Sequence, residues 1–339
     1  MNPLNELIVR VLPHMGDDAT FFANNSWRFP RKNPSCNGVR FVFDESEEPD
    51  ISLVLNYLKY DSYLSARPGG IWRWDNEPIV DKKSLGGFDH IFTHERSIPG
   101  NLRVTASPVL DWWVKKDFDE LISMPIPSKT KLMSAIASNR AMLPGHIARR
   151  EFIDLVEARI PEVDVFGSGR AHELSDKWDG LAPYKFSIAI ENTSAPDYWT
   201  EKVADCFLAY TVPLYYGATN LSNYFPPESY IELPIERQDF ALDRVKEVLQ
   251  GEDWEWRVPF LEEAREAVLN RYSFAAQISY EANLRRESLL SGGIERRMVQ
   301  GRRKRRGGWR RGIGLWGNMK LQVQRYFRRA RKTLRQIKT

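Results

Sequence analysis

The sequence predicts an α/β protein of two domains, the second built on a doubly wound parallel sheet. Three observations carry this. The chain has 339 residues, room for two domains of ordinary size. Short apolar runs of strand length alternate with turns and with helix-period stretches. The 17 Phe, 13 Tyr and 11 Trp supply enough large apolar surface for sizeable cores. At 42% hydrophobic and 28% charged residues, the composition excludes an integral membrane protein, a collagen-like chain and a fully disordered one.

In the first half, residues 39–43, 51–55, 71–74 and 90–93 read as strands, the third following the turn Pro68-Gly69-Gly70. The apolar run Leu7-Ile8-Val9 is broken by Arg10. No run approaches the roughly 20 apolar residues of a spanning helix, and residues 1–6 lack the basic start of a signal peptide. Met124-Pro125-Ile126-Pro127-Ser128 punctuates the chain. The expected domains are therefore 1–126, 127–295 and a tail, 296–339.

In the second half, 131–138 and 163–166 read as strands, the latter running into Gly167-Ser168-Gly169. Between them a helix is expected from about Gly145 to Arg159, with Ile147, Phe152, Leu155 and Val156 on one face. A strand at 186–190, a helix at about 200–210 and a strand at 212–216 complete the parallel plan, and 235–290 reads as helical cover. Ligands of such sheets bind at the carboxyl ends of the strands. Cys36 and Cys206 offer neither a disulfide framework nor a metal spacing, which points to a reducing compartment.

The net charge of +4 hides a segregation. Residues 296–339 hold 17 Lys/Arg and no acid, whereas residues 1–295 hold 32 Lys/Arg against all 45 Asp/Glu. Only the tail predicts an anionic partner. Trp316, Met319, Val323, Tyr326, Phe327, Ala330, Leu334 and Ile337 recur at three and four, a single apolar stripe flanked by arginines and lysines. A basic amphipathic helix of this kind suits an anionic membrane surface. Nucleic acid would not need the ordered stripe. The expectation is a cytoplasmic protein, peripheral on the inner face of the membrane through residues 302–339, with no nucleic-acid partner.

The densest polar segment closes the 186–190 strand: Glu191-Asn192, then Asp197-Tyr198-Trp199-Thr200-Glu201-Lys202. Thr200 suits a helix cap. The free N–H groups and positive dipole end of the next helix suit a phosphate. Lys202 adds a mobile cation, and Arg149 or Arg150 a planar fork. The same residues also describe an ordinary capped helix with solvated charges. Asp117-Phe118-Asp119 has the form of a metal-binding DxD but sits among Lys115, Lys116 and Glu120, as on a solvated helix face. His90 and His94 lie across a strand, an unfavourable spacing for a metal.

Tyr184-Lys185-Phe186, Glu191-Asn192, Tyr198, Thr200-Glu201-Lys202, Val212-Pro213 and Gly217 together resemble the donor-site signature of the α-1,3-fucosyltransferases, glycosyltransferase family 10, in its bacterial type. Residues 163–167 resemble the strand before it. Arg149 and Phe152 resemble the helix carrying a diphosphate-binding arginine. The resemblance covers about residues 130–230. It implies a GT-B fold, two Rossmann-like domains facing a cleft, here with a basic amphipathic C-terminal tail. It implies inverting transfer of L-fucose from GDP-β-L-fucose, without metal or cofactor, to a glycan hydroxyl, α-1,3 to a GlcNAc-type acceptor. Arg149, with Arg150 its rival, and Lys202 would hold the diphosphate. Asn192, Tyr198 and Glu201 would contact the fucose or ribose, Glu201 also offsetting charge on an oxocarbenium-like carbon. Tyr184 and Lys185 would line the nucleotide side. An inverting transfer needs a base at the acceptor hydroxyl. In the family it is a Glu after a strand and before a proline, which Trp74-Asp75-Asn76-Glu77-Pro78 resembles. Glu77 is the expected base, with Asp75 and Glu95 as alternatives. A transferase with another nucleotide sugar, or an inactive scaffold with an anion-binding tail, are the other readings.

Overall fold

A computed structural model describes residues 6–12, 24–76, 85–107, 112–137, 144–170, 172–251 and 253–301. Glu77 and the tail 302–339 lie outside the described residues. The described chain belongs to one compact unit that ends at Gly301. It is built on two sheets.

The first sheet is formed by β1 (Leu7–Leu12), β2 (Ser35–Cys36), β3 (Val39–Val42), β4 (Ile51–Leu55), β6 (Ile71–Trp74), β7 (His90–Thr93) and β8 (Arg103–Thr105), in the order β2-β3-β1-β4-β6-β7-β8. Every pairing is parallel except β2 with β3. Arg10 does not break the first run. Leu7, Val9 and Val11 are fully buried, while Arg10 turns the other way to Glu45, 2.6 Å off. That is the two-residue period of a strand, and β1 lies in the middle of the sheet. β5 (Ser62–Ala66) instead forms an antiparallel ribbon with β14 (Glu295–Val299).

The second sheet consists of β9 (Lys131–Ile136), β10 (Val163–Phe166), β11 (Tyr184–Ile190), β12 (Val212–Tyr216) and β13 (Ile231–Glu232), all parallel, in the order β10-β9-β11-β12-β13. α2 (Pro144–Arg159) links β9 to β10, and α3 (Glu201–Leu208) links β11 to β12. Phe152, Ile153 and Val156 of α2 and Val203, Phe207 and Leu208 of α3 bury in one core with this sheet. The strand order reverses between β9 and β11. The carboxyl ends of these two strands therefore flank the switch point where doubly wound sheets hold ligands.

The expected boundaries shift at both ends. Trp112, Val114 and Leu121 bury in the second core, so the second half begins before α1 (Phe118–Ser123) rather than at 127. α4 (Gln238–Gly251) and α5 (Val258–Ala267) cover the second half. The chain then returns: Phe274, Ala275, Ile278 and Ala282 of α6 (Phe274–Leu284) and Leu289 of α7 (Arg286–Leu290) complete the core of the first sheet. β14 extends to residue 299, three past the expected start of the tail, and buries Val299 with Val54, Leu64 and Ile91. No helix among the described residues is long and apolar enough to cross a membrane.

Candidate active site

The site begins where the apolar run of β11 stops. Glu191 follows Ile190 and is fully buried. A carboxylate there must be hydrogen-bonded and balanced. Its Oε1 accepts from the Thr200 amide and hydroxyl, both at 2.8 Å, and Lys202 Nζ lies 3.1 Å from Oε2. Burial raises the Glu191 pKa against the pull of Lys202. Gly217, just after β12, makes room: a Cβ there would fall 2.5 Å from Glu191 Cγ and 2.2 Å from the Tyr215 hydroxyl oxygen.

Thr200 is extended and caps α3, its hydroxyl oxygen accepting from the Lys202 amide at 3.4 Å. The cap predicted from sequence thus ties the helix start to the strand end through Glu191. Lys202 Nζ lies 3.0 Å from Thr200 Oγ1, 3.1 Å from Glu191 and 3.3 Å from Glu201. Burial works against its charge, but Glu191 and Glu201 outweigh this and raise its pKa.

Glu201 opens α3 with about a fifth of its side chain exposed (22%). Burial alone would raise its pKa. Lys202 and Lys177 reverse the sign and hold the carboxyl at about 2. Lys177 Nζ is 3.8 Å from Glu201 and 3.0 Å from Asp205, one helical turn further along α3. Asp205 is itself buried and accepts from the Trp113 amide at 2.8 Å.

α2 supplies the facing wall. Arg149 is 6% exposed and its charge opposes that of Lys202, whereas Arg150 is exposed on the other face of the helix. Of the two, Arg149 is the one beside the cluster. Gly145, near the start of α2, abuts the Asn192 carbonyl so closely that a Cβ would lie 1.9 Å from its oxygen. The Asn192 amide nitrogen is 3.1 Å from His146 Nε2, and its Oδ1 accepts from the Tyr198 hydroxyl at 2.7 Å.

Residues 94–96 of the first half meet this wall. The His94 ring packs edge-on to Tyr198, centroids 4.9 Å apart, and Arg96 Nε donates to Asp197 at 2.9 Å. Asp197 holds a left-handed backbone (φ 64°) and also accepts from Asn220 and the Tyr224 hydroxyl. These three donors keep its carboxyl low despite burial.

Arg149, Asn192, Tyr198, Glu201 and Lys202 are therefore gathered at one place. Tyr184 and Lys185 are not. They open β11, at the opposite end of a seven-residue strand. Tyr184 donates to Asp164 at 2.7 Å beside Lys131, and Lys185 pairs with Glu255 at 2.9 Å. Of the expected bases, Asp75 is buried with its Oδ1 2.6 Å from Arg73 Nη2 and 2.7 Å from Nε, a structural ion pair. Glu95 is half-buried next to His94 and accepts from the Ser97 amide at 3.0 Å. Asp117 of the DxD caps α1 in a capping box with Glu120 and pairs with Lys32. Cys206 is buried, its thiol pushed up to about 12. Sequence reasoning missed the roles of Glu191, His146, Lys177, Asp197 and Asp205. The one available signal was a carboxylate directly ending an apolar strand, which demands a nearby cation.

Residues 126–250 match the family described as glycosyltransferase family 10 (fucosyltransferase), C-terminal region. This segment is similar to that family's C-terminal region. An α-(1,3)-fucosyltransferase of Helicobacter pylori is 32% identical over 124 residues, 35% of this chain and 25% of that protein. The human 4-galactosyl-N-acetylglucosaminide 3-α-L-fucosyltransferase 9 is 30% identical over 171 residues, 48% of this chain and 44% of that protein. These matches span less than half of the relatives' own length. Among solved structures, an α1,3-fucosyltransferase with GDP superposes with a TM-score of 0.52 at 19% identity, covering 85% of this chain and 91% of that one. The same coverage, at 18% identity and a TM-score of 0.52, is found for an α1,3-fucosyltransferase with GDP-fucose. The fold is GT-B, and the segment that matches family 10 lies in its second half.

Proposed function

We propose that the chain is an inverting fucosyltransferase that moves L-fucose from GDP-β-L-fucose to a glycan hydroxyl, α-1,3 on a GlcNAc-type acceptor. The observation that carries this is the cluster of charged groups at the start of α3. Thr200, Glu201 and Lys202 stand at the switch point of the family 10 domain, with Arg149 on the facing helix. The positive dipole end of α3 and the two cations, Lys202 and Arg149, suit a diphosphate, whose leaving they assist by neutralising the charge that develops on it. Glu201, ionised and partly exposed, suits the positive charge that grows on the anomeric carbon. Cationic side chains here take the role that a divalent metal has in other transferases, so the reading requires neither metal nor cofactor.

Inversion needs a base on the far side of the sugar from the diphosphate. Glu77, three residues beyond the end of β6, is our proposed base. Glu95 is the described alternative, and Asp75 is engaged by Arg73. The donors named for the solved structures and the acceptor named for the mammalian relative support the substrate classes. We further propose that residues 302–339 hold the enzyme to an anionic membrane from the cytoplasmic side, on the strength of their charge and apolar stripe.

The test is incubation with GDP-fucose and N-acetyllactosamine in excess chelator, followed by product NMR. Release of GDP with an α-linked product is expected. Activity with a different sugar nucleotide alone, or strict dependence on divalent metal, would overturn the reading.

A further inference from the structure

Outside the diphosphate cradle, the most unusual group near the site is Lys177. It lies in the turn Lys177–Gly180, between strands, where a lysine normally reaches solvent. Instead its ammonium points inward, 3.0 Å from Asp205 and 3.8 Å from Glu201. Asp205 is 1% exposed and fixed by the Trp113 amide at 2.8 Å, so the ammonium is anchored from a third segment. The charged groups of the cluster around Glu201 are Lys202 and Asp205 from its own helix, Glu191 just after β11, Lys177 from the turn and, next to Lys202, Arg149 of α2.

Three carboxylates, Glu191, Glu201 and Asp205, share this space with two lysines. If Lys202 turns to a diphosphate, Glu201 loses its nearer cation. Lys177 is held by Asp205 and cannot follow. We propose that Lys177 is a positioning residue that, anchored by Asp205, keeps the Glu201 carboxylate paired and aimed at the donor while Lys202 is released to the diphosphate. This rests on the fucosyltransferase reading for the identity of the donor, but the charge arrangement itself does not. Burial acts against the Lys177 charge, and Asp205 and Glu201 together more than restore it.

The test is a 13C-glutamate NMR titration of the full chain, with Glu201→Gln assigning the resonance, on the wild type, Lys177→Met and Lys177→Arg. Methionine keeps the apolar stem and removes the charge. The wild-type Glu201 carboxyl is expected to titrate at about 2. Its midpoint should rise by about one pH unit or more in Lys177→Met, a tenfold change in proton affinity, and return in Lys177→Arg. The acid limb of kcat/KM for GDP-fucose should move with it, which a merely structural lysine would not cause. An unmoved midpoint in folded Lys177→Met overturns the proposal. Should that variant not fold, Lys177→Gln takes its place: a raised Glu201 midpoint there supports the proposal, and an unmoved one overturns it. The titration needs no turnover. A wild type that transfers no fucose counts against the proposed function, and an unmoved Glu201 counts against Lys177.

Discussion

At the scale of the residue, Lys202 holds the site together by bridging Thr200, Glu191 and Glu201 within 3.3 Å. Lys202→Met removes the cation and leaves Glu191 buried and charged. A loss of about 3 kcal/mol is expected in denaturant unfolding at neutral pH. Glu191 already has a raised pKa. A raised carboxyl contributes stability at low pH that is lost as pH climbs through its folded value. The deficit of Lys202→Met should therefore shrink on acidification, and adding Glu191→Gln should recover stability at neutral pH without recovering activity. An equal deficit at every pH would refute this account of Glu191. The wild-type Glu201 acts with the opposite sign: its stabilisation is present above about 4.3 and fades as pH falls toward about 2. Much of this was legible in the chain. Glu201, Lys202, Asn192 and Tyr198 follow one strand within a dozen residues, and the structure keeps them together. Tyr184 and Lys185 sit in the same motif but on the strand itself. At roughly 3.3 Å per residue, its two ends lie about 20 Å apart. Nearness in sequence equals nearness in space only across a turn. Lys177 and Asp205 show the reverse case, since their pairing depends on how a turn packs on α3.

At the scale of the element, two close approaches set the geometry. The start of α2 presses on the carbonyl that follows β11, and only a residue without a side chain fits at 145. Gly145→Ala would force the helix away from Asn192 and carry Arg149 with it. A cost of about 1–3 kcal/mol in thermal or denaturant unfolding is expected, together with at least tenfold weaker GDP binding. Unchanged binding in that variant would detach Arg149 from the site. The strands themselves were largely readable because apolar runs in parallel sheets are long and turns interrupt them. β1 was hidden by Arg10, a charge on its less buried face. β13 and β8 are two and three residues long, too short for any periodicity. β14 is unreadable for another reason: Glu295, Arg296 and Arg297 look like solvated charge, and only pairing with β5 gives them a strand.

At the scale of the whole molecule, the chain crosses between its two cores. Residues 112–121 join the second core before the proline-rich segment, and 274–299 return to the first. Proline punctuation marked a real pause in the chain but not the boundary, because cores are defined by contact and not by chain order. Two truncations separate these views. A chain ending at Gly301 should unfold cooperatively, keep its transferase activity on soluble acceptors, and no longer sediment with anionic vesicles. A chain ending at Ser273 should lose cooperative unfolding, since it removes five buried residues of the first core, Phe274, Ala275, Ile278, Ala282 and Leu289. Folding of the shorter chain would contradict the crossing. Undiminished sedimentation of the longer one would contradict the role proposed for the tail.

On the proposed function, the start of α3 and the facing side of α2 grip a nucleoside diphosphate. Calorimetric titration of GDP into the wild type, Lys202→Met, Arg149→Met and Arg150→Met, in chelator, tests it most directly. Metal-free binding by the wild type is expected, with a loss of at least about tenfold for each of the first two variants and no change for the third. Binding that is absent in the wild type, or indifferent to Lys202 and Arg149, would contradict it.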